Sequence, residues 1–207
     1  MKNRLELRSE RGYLAIDARN DSEKDLCVEA EKLCQVCGIV LVSPAIFSKE
    51  NDIDSLYPLI KQIMENHCGE KKSFCVRAKR ADKTYPIVSG NIEKKIGKYI
   101  QDNTEWKEVN LKHPDTTLYI DIAQKGVFLY TEKRKGVGGL PVGIEGKVLS
   151  LLSGGIDSPV ASFFMARRGC EVDFIHFTAN KIQSDEAMKY KVAKIAQILS
   201  QYSIHSK

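Results

Sequence analysis

The first 48 residues have the hydrophobic pattern of two strands, a helix and a third strand. Apolar and polar residues alternate through residues 5–17, which predicts two strands joined by a tight turn. Ser22 is a favourable N-cap for a helix that we expect to end at Cys37. The apolar run 38–42 then predicts a strand. The segment therefore has the element order β-β-α-β.

Helical and strand patterns alternate in the next segment, residues 49–135. Pro58 is tolerated only in the first turn of a helix, and this restricts where the first helix can begin. In chain order, we expect a helix that begins near Asp54 or Ser55, a strand over residues 74–78, a helix that begins at Ser89, and a hairpin over residues 117–131.

A glycine-rich stretch precedes the last segment. Residues 136–143 contain four glycines and one proline, which predicts a linker that is either flexible or packed against a nearby ligand. Beyond it we expect a strand over residues 148–152, a helix over 159–168, a strand over 171–177, and a helix capped by Ser184.

These patterns divide the chain into four parts of mixed α/β and α+β class. Residues 1–48 match the last four elements of a ferredoxin-like unit, and so they predict a partial domain of that type. Residues 49–135 form a second domain and residues 136–146 a linker. Residues 147–207 predict the start of a doubly wound parallel sheet.

Residues 153–158, Ser-Gly-Gly-Ile-Asp-Ser, form a loop between a strand and a helix. Two glycines allow a sharp turn and let a ligand approach the backbone without meeting a Cβ. Asp157 or Ser158 can cap the helix, and Pro159 suits its first position. Backbone N–H groups at such a helix start favour phosphate. Because phosphate repels the Asp157 carboxylate, we expect Mg²⁺ to bridge them.

His176 and Phe177 lie at the end of the next predicted strand. In a parallel sheet this end faces the same crevice as the loop at Ser153, where a nucleotide base and ribose would lie. A single histidine in a strand can equally be a structural residue, and the sequence leaves both interpretations open.

Basic residues are concentrated at the end of the predicted strand 74–78. We expect Arg77 and Lys79 on its polar face and Arg80 and Lys83 in the loop that follows. Such a cluster is either an ordinary solvated surface or a surface for a nucleic-acid backbone. Residues 133–135, Lys-Arg-Lys, form a second small basic patch.

Composition indicates an ordinary soluble protein of one or two domains. The 207 residues are 43% hydrophobic and 29% charged, with a net charge of +5. No apolar run is long enough to cross a bilayer, and no signal peptide is evident, so we expect a cytoplasmic protein without membrane contact.

The six cysteines include the pair Cys34 and Cys37. Both lie on an apolar helical stripe, and no second such pair completes a zinc site, so core packing is favoured over redox or metal chemistry.

Three stretches resemble the ThiI family, the tRNA 4-thiouridine synthetases. Residues 74–86 (FCVRAKRADKTYP) are similar to a strand of its THUMP domain, and residues 138–143 (GGLPVG) are similar to its linker. Residues 151–161 (LLSGGIDSPVA) resemble its ATP loop, the S-G-G-x-D-S motif of PP-loop ATP pyrophosphatases. The kinase-type G-K-[ST] motif is absent.

The resemblance implies an ATP-dependent tRNA sulfurtransferase. Uridine 8 of tRNA would be adenylated, and a cysteine persulfide loaded by a cysteine desulfurase would supply sulfur. Asp157 would be the catalytic and Mg²⁺-binding residue, and Arg77, Lys79, Arg80 and Lys83 would bind RNA. The implied ATP-binding residues are Leu151, Leu152, Ser153, Gly154, Gly155, Asp157, Ser158, His176 and Phe177.

The chain also departs from the family pattern. The first β-α of the ferredoxin-like domain and most of the PP-loop domain are missing, and no cysteine matches the sulfur carrier. We therefore expect a piece of a longer protein without complete catalysis. The resemblance leaves open a homodimer and a role in thiamine thiazole synthesis.

Two alternatives to the sulfurtransferase remain. The chain could be a THUMP-type RNA-binding module with an incomplete nucleotide domain. It could also be a PP-loop ligase or amidotransferase for a small molecule, although the basic cluster argues against that.

Overall fold

The computed structural model describes residues 6–10, 13–17, 23–66, 73–81, 84–178 and 190–202. They belong to two compact units. Unit 1 comprises residues 1–20 and 43–132, and unit 2 comprises residues 21–42 and 133–207.

The elements follow one another as β1 (Glu6–Glu10), β2 (Tyr13–Asp17), α1 (Glu23–Cys34), β3 (Leu41–Val42), β4 (Ile46–Ser48), a 3-10 helix (Asp54–Leu56), α2 (Tyr57–Glu65), β5 (Ser73–Arg80), α3 (Ser89–Asn103), β6 (Glu108–Val109), β7 (Thr116–Ala123), β8 (Gly126–Tyr130), β9 (Arg134–Lys135), β10 (Lys147–Leu151), α4 (Asp157–Arg167), β11 (Glu171–Ile175) and α5 (Lys191–Ser200).

Unit 1 contains the β1–β2 hairpin and a five-stranded mixed sheet. The hairpin is antiparallel, as predicted. The sheet has the order β4-β8-β7-β5-β6, in which β5 runs parallel to both β7 and β6 and the other pairs are antiparallel. The predicted hairpin over residues 117–131 is present as β7 and β8.

Helices α2 and α3 supply the predicted apolar stripes of the unit 1 core. Ile92, Ile96 and Ile100 recur at helical spacing in α3 and are fully buried. A 3-10 turn begins at Asp54, and Pro58 lies in the first turn of α2, where its missing N–H costs no helical bond.

The central strands β5 and β7 show which sheet face packs on these helices. Phe74 and Val76 of β5, with Leu118 and Ile120 of β7, are buried in the core that contains the helices. Residues of opposite parity therefore lie on the other face, which we call the outer face. The hairpin contacts part of it, because the rings of Tyr13 and Phe128 meet edge to face at 5.3 Å.

In unit 2, α1 ends at Cys34, three residues earlier than predicted. The chain reverses at Gly38 with φ of 97°, and a Cβ there would lie 3.0 Å from the nitrogen of Pro141. Strand β3 is shorter than predicted and pairs antiparallel with β9. The predicted element order β-β-α-β is present, but among the described residues the hairpin and β3 belong to separate sheets.

The glycine-rich stretch is bonded into unit 2 through its backbone. Val137 N–H donates to the carbonyl of Cys34 at 2.9 Å, and Leu140 N–H donates to that of Arg167 at 2.9 Å. Arg167 ends α4, so this stretch packs at the opposite end of the helix from the Ser-Gly-Gly loop, about 15 Å away. Neither predicted alternative, free flexibility or packing against a ligand at the loop, describes this arrangement.

Strands β10 and β11 are parallel, as predicted, with Val148 opposite Val172. Helix α4 contacts both strands. Leu149 and Leu151 are 66% and 64% exposed, so the predicted buried strand is covered on one face only. The Ser184 cap lies outside the described residues, and α5 begins at Lys191.

The cysteines among the described residues are free, and Cys37 is buried. Burial raises the pKa of the Cys37 thiol, and the positive charge of Arg167 offsets only part of this effect. The thiol is therefore protonated at neutral pH, which agrees with core packing. No helix within the described ranges is long and apolar enough to cross a membrane.

Candidate functional site

The Ser-Gly-Gly loop connects β10 to α4 and is closed by its own serines. The Ser153 N–H donates to Ser158 Oγ at 2.9 Å, and the two hydroxyl oxygens lie 2.9 Å apart. The Gly155 N–H donates to Ser153 Oγ at 3.3 Å. These bonds hold the ends of the loop together before any ligand binds.

The start of α4 differs from the prediction. The helix begins at Asp157, with Ile156 as N-cap, and no side chain caps it. Ser158 Oγ bonds back into the loop, and Pro159 is the third helical residue instead of the first. Since the first-turn N–H groups of a helix lack partners within it, proline is tolerated there as well.

A set of hydrogen-bonded serines beneath the loop was not predicted. Ser162, which is 2% exposed, donates to the carbonyl of Ser158 at 2.8 Å. Its hydroxyl also lies 2.7 Å from Ser150 Oγ on β10. These hydrogen bonds connect the first turn of α4 to β10, and so they hold the two ends of the loop in a fixed orientation.

The backbone conformation of the loop does not require glycine at positions 154 and 155. Neither has positive φ, whereas seven other described glycines do. A Cβ on Gly154 would have its nearest neighbour at 3.7 Å and one on Gly155 at 3.5 Å, which is ordinary contact. The fold therefore leaves space for side chains at both positions, and their absence keeps the loop backbone accessible to a ligand.

Asp157 is the one charged side chain in residues 152–158, and it is exposed at the positive end of α4. Within the described part of the chain, no group of three or more His, Cys, Asp or Glu side chains could hold a metal. A carboxylate is nevertheless the ligand type that Mg²⁺ prefers, and proteins often bind this ion through one or two carboxylates together with substrate phosphates.

His176 and Phe177 follow β11 at the same edge of the sheet as the loop. Leu152, which is buried, donates its N–H to the carbonyl of Ile175 at 2.8 Å. His176 Nδ1 lies 2.8 Å from the Leu152 carbonyl. Since a carbonyl only accepts, Nδ1 carries the proton, and Nε2 of the neutral ring is an acceptor. Phe177 is 76% exposed.

The structure divides the predicted basic cluster between two faces of the sheet. Arg77 and Lys79 are exposed on the outer face. Arg80 was expected in a loop, but it ends β5 and points to the helix-covered face, where Nη1 donates to the carbonyls of Tyr85 at 3.1 Å and Ile87 at 3.3 Å. Lys83 lies outside the described residues.

The outer face also carries side chains that were not predicted to belong to this surface. Tyr119 pairs in register with Arg77, and Asp121 pairs with Lys79. The hydroxyl of Tyr130 donates to Asp121 Oδ2 at 3.0 Å, and its ring stacks on Tyr119 with centroids 5.1 Å apart. Burial and the Asp121 carboxylate raise the pKa of Tyr130, so the phenol stays protonated.

The second basic patch, residues 133–135, is partly committed to packing. Arg134 Nη1 donates to the carbonyl of Cys27 at 2.7 Å and lies 3.7 Å from a carboxylate oxygen of Glu31. Its side chain is only 19% exposed. Arg134 therefore stabilises the contact between β9 and α1.

Two family models match the chain. The THUMP domain model matches residues 50–132, within unit 1, and the model described as thiamine biosynthesis protein (ThiI) matches residues 143–207, within unit 2.

Curated relatives and solved structures agree with these models. A probable tRNA sulfurtransferase of Methanocaldococcus jannaschii is 39% identical over 91% of this chain and 48% of its own length. One from Alkaliphilus metalliredigens is 40% identical over 83% of this chain and 44% of its own length.

The structure of PH1313 from Pyrococcus horikoshii has a TM-score of 0.82 at 32% identity and covers 98% of this chain and 65% of its own. A 4-thiouridine synthetase solved with RNA and bound ATP has a TM-score of 0.80 at 28% identity, over 96% of this chain and 50% of its own. The chain spans about half the length of the curated relatives it matches. By these matches, residues 50–132 are a THUMP domain and residues 143–207 belong to the ThiI family.

Proposed function

We propose that the protein is an ATP-dependent tRNA sulfurtransferase that makes 4-thiouridine at position 8 of tRNA. The observation that carries this proposal is the serine-closed Ser-Gly-Gly loop, which lies at the carboxyl end of a parallel strand and at the start of α4. Its relatives are named tRNA sulfurtransferases, and one structural neighbour holds RNA and ATP.

ATP would bind with its phosphates over the loop backbone, residues 151–158. The N–H groups of the loop and of the first turn of α4 would hold the pyrophosphate part, which leaves when uridine O4 attacks the α-phosphate. Phe177 offers an exposed ring on which the adenine can lie, and His176 Nε2 can accept a hydrogen bond from the nucleoside.

Mg²⁺ would be held by Asp157 together with phosphate oxygens. When bound, it would neutralise charge on the leaving pyrophosphate. Through the bound ion, the Asp157 carboxylate would orient the phosphate chain. Asp157 is the first residue of α4, and the hydrogen bonds of Ser162 to Ser158 and Ser150 hold the start of this helix against β10.

Sulfur would come from a persulfide that a cysteine desulfurase supplies. The five cysteines described do not offer an evident carrier at the loop: Cys170, for example, lies beyond the opposite end of α4. We assign nucleotide binding to residues 147–207 and RNA binding to residues 49–135. A role in thiamine thiazole synthesis would use the same sulfur chemistry.

The intact protein encoded by the natural gene is expected to form 4-thiouridine in a tRNA transcript when ATP, Mg²⁺, a cysteine desulfurase, cysteine and a thiol reductant are present. AMP and pyrophosphate should appear in equal amounts with the thiolated base. Thiouridine absorbance and chromatography of the digested tRNA nucleosides measure the thiolated base. Nucleotide chromatography measures AMP, and a coupled enzymatic assay measures pyrophosphate.

A transcript with cytidine at position 8 is the control and should stay unmodified. Binding of tRNA without any ATP-dependent product would instead favour the RNA-binding module, and thiolation without ATP consumption would contradict the adenylation step.

The tRNA surface is expected to include Arg77 and Lys79. Because each phosphate contact releases counterions, the double variant Arg77→Ala/Lys79→Ala should lower the log-log salt slope of tRNA binding by roughly two units. The loss should be similar for different tRNA sequences, since phosphates carry no sequence information. Filter binding at several salt concentrations gives the slope.

The double variant Lys94→Ala/Lys98→Ala is the matched control, since it removes two exposed lysines from α3. Arg80 is left in place because it points to the helix-covered face, where its guanidinium bonds two backbone carbonyls. Arg77 is exposed on the outer face and donates there to one carbonyl, that of Leu111, at 2.7 Å. A slope that is the same in both double variants would remove the outer face from the RNA site.

A further inference from the structure

We propose that Lys191 is a phosphate-contacting residue of the nucleotide site, supplied to the loop by α5. The proposal rests on the proposed function and adds to the site a residue that no motif assigns. Lys191 is the first residue of α5 and is exposed.

The side chain of Lys191 lies against the loop. A Cβ on Gly154 would be 3.7 Å from Lys191 Cδ and 3.9 Å from Val192 Cγ2. The ammonium group is only two bonds beyond Cδ, so it can reach a phosphate that lies over Gly154. Helix α5 also contacts α4, and so the lysine is presented by an element that packs on the helix of the loop.

The charge of the loop explains what such a lysine would do. Residues 152–158 contain no cation, and their one charged side chain is the carboxylate of Asp157. Kinase-type phosphate loops include a lysine that acts as a point charge on the phosphates, and this loop has none. Among the described residues Lys191 has no ion-pair partner, so its ammonium is available to a bound anion.

The competing explanation is a solvated lysine whose aliphatic stem merely covers Gly154. Lysine stems commonly pack along a surface while the ammonium stays in water. The two explanations differ only in whether the ammonium charge of Lys191 contributes to phosphate binding. Lys191→Met keeps a long stem against the loop and removes the charge, and Lys191→Arg restores a charge.

The test measures binding of MgATP and of adenosine to the intact protein by calorimetry at fixed ionic strength. Lys191→Met is expected to weaken MgATP binding about tenfold, the effect of losing one charge-assisted contact, and to leave adenosine affinity within about twofold. Lys191→Arg should recover most of the MgATP affinity.

Lys194→Met is the matched control, because Lys194 is exposed one turn further along α5. It should change neither affinity by more than about twofold. Equal losses for MgATP and adenosine in Lys191→Met would overturn the proposal, as would no loss for either ligand. If the wild-type protein binds no MgATP, both the proposed function and the role of Lys191 fail. If the wild-type protein binds MgATP and the Lys191 variants bind it equally well, only the role of Lys191 fails and the proposed function stands.

Discussion

Asp157→Asn in the intact protein is expected to lower ATP-dependent thiolation at least about 100-fold, the scale of removing one preorganised electrostatic group from an active site. The variant keeps the size of the side chain and loses its charge. Asp157 is exposed at the start of α4, so the cost to folding should stay within about 1 kcal/mol. Pyrophosphate release under single-turnover conditions measures the chemical step.

The same variant should bind tRNA normally, because the loop and the outer face with Arg77 and Lys79 belong to different compact units. Asp173→Asn is the matched control: Asp173 is an exposed carboxylate of β11, and its replacement should leave the rate within about twofold of wild type. A parallel loss of tRNA affinity and turnover in Asp157→Asn would contradict the assignment of two separate sites.

The element pattern of both units could be predicted because it depends on local periodicity. Isoleucines at 92, 96 and 100 place one face of α3 in a core, and the alternation in β7 buries Leu118 and Ile120. Strand partners are not local. The pairing of β3 with β9 joins segments about 90 residues apart. One of these short strands is apolar and the other is basic, and neither sequence specifies its partner strand.

Arg80 shows how one misplaced strand end changes a functional assignment. The strand predicted over residues 74–78 places Arg80 in the following loop together with Lys83. The observed strand continues to Arg80, and the alternation of side chains then places it on the face opposite Lys79. Its guanidinium satisfies backbone carbonyls there, a role that basic composition alone does not predict.

The loop was predictable from its residues, but its support was not. Glycines after an apolar run and before a helix predict a strand–loop–helix turn, and the full string Ser-Gly-Gly-Ile-Asp-Ser favours a phosphate-binding loop. Ser150 and Ser162 gave a weaker indication, as hydroxyl groups at core-facing positions of a strand and a helix. Their contact depends on how α4 packs on β10, which only the structure provides.

Gly139→Ala is expected to destabilise unit 2 by about 2–5 kcal/mol. Gly139 has φ of 86°, and this alone costs an alanine about 1–2 kcal/mol. A Cβ would also lie 2.1 Å from the Arg167 carbonyl oxygen, which would force the backbone apart and weaken the bond from Leu140 N–H to that oxygen, at a further cost of about 1–3 kcal/mol. Hydrogen exchange in α4 measures the loss.

Gly138→Ala separates the two contributions. Gly138 has φ of 64°, so an alanine meets the same backbone cost, but its Cβ would approach only Arg167 Nη2, at 3.9 Å. It should therefore destabilise α4 by about 1–2 kcal/mol. Fluorescence of Trp106, the single tryptophan, reports unit 1 and gives a separate reading. Equal effects of the two alanines on α4 would mean that the close approach of Gly139 to Arg167 does not hold the end of the helix. A larger effect at Gly139 would show that the glycine-rich stretch anchors the helix whose other end begins at the Ser-Gly-Gly loop.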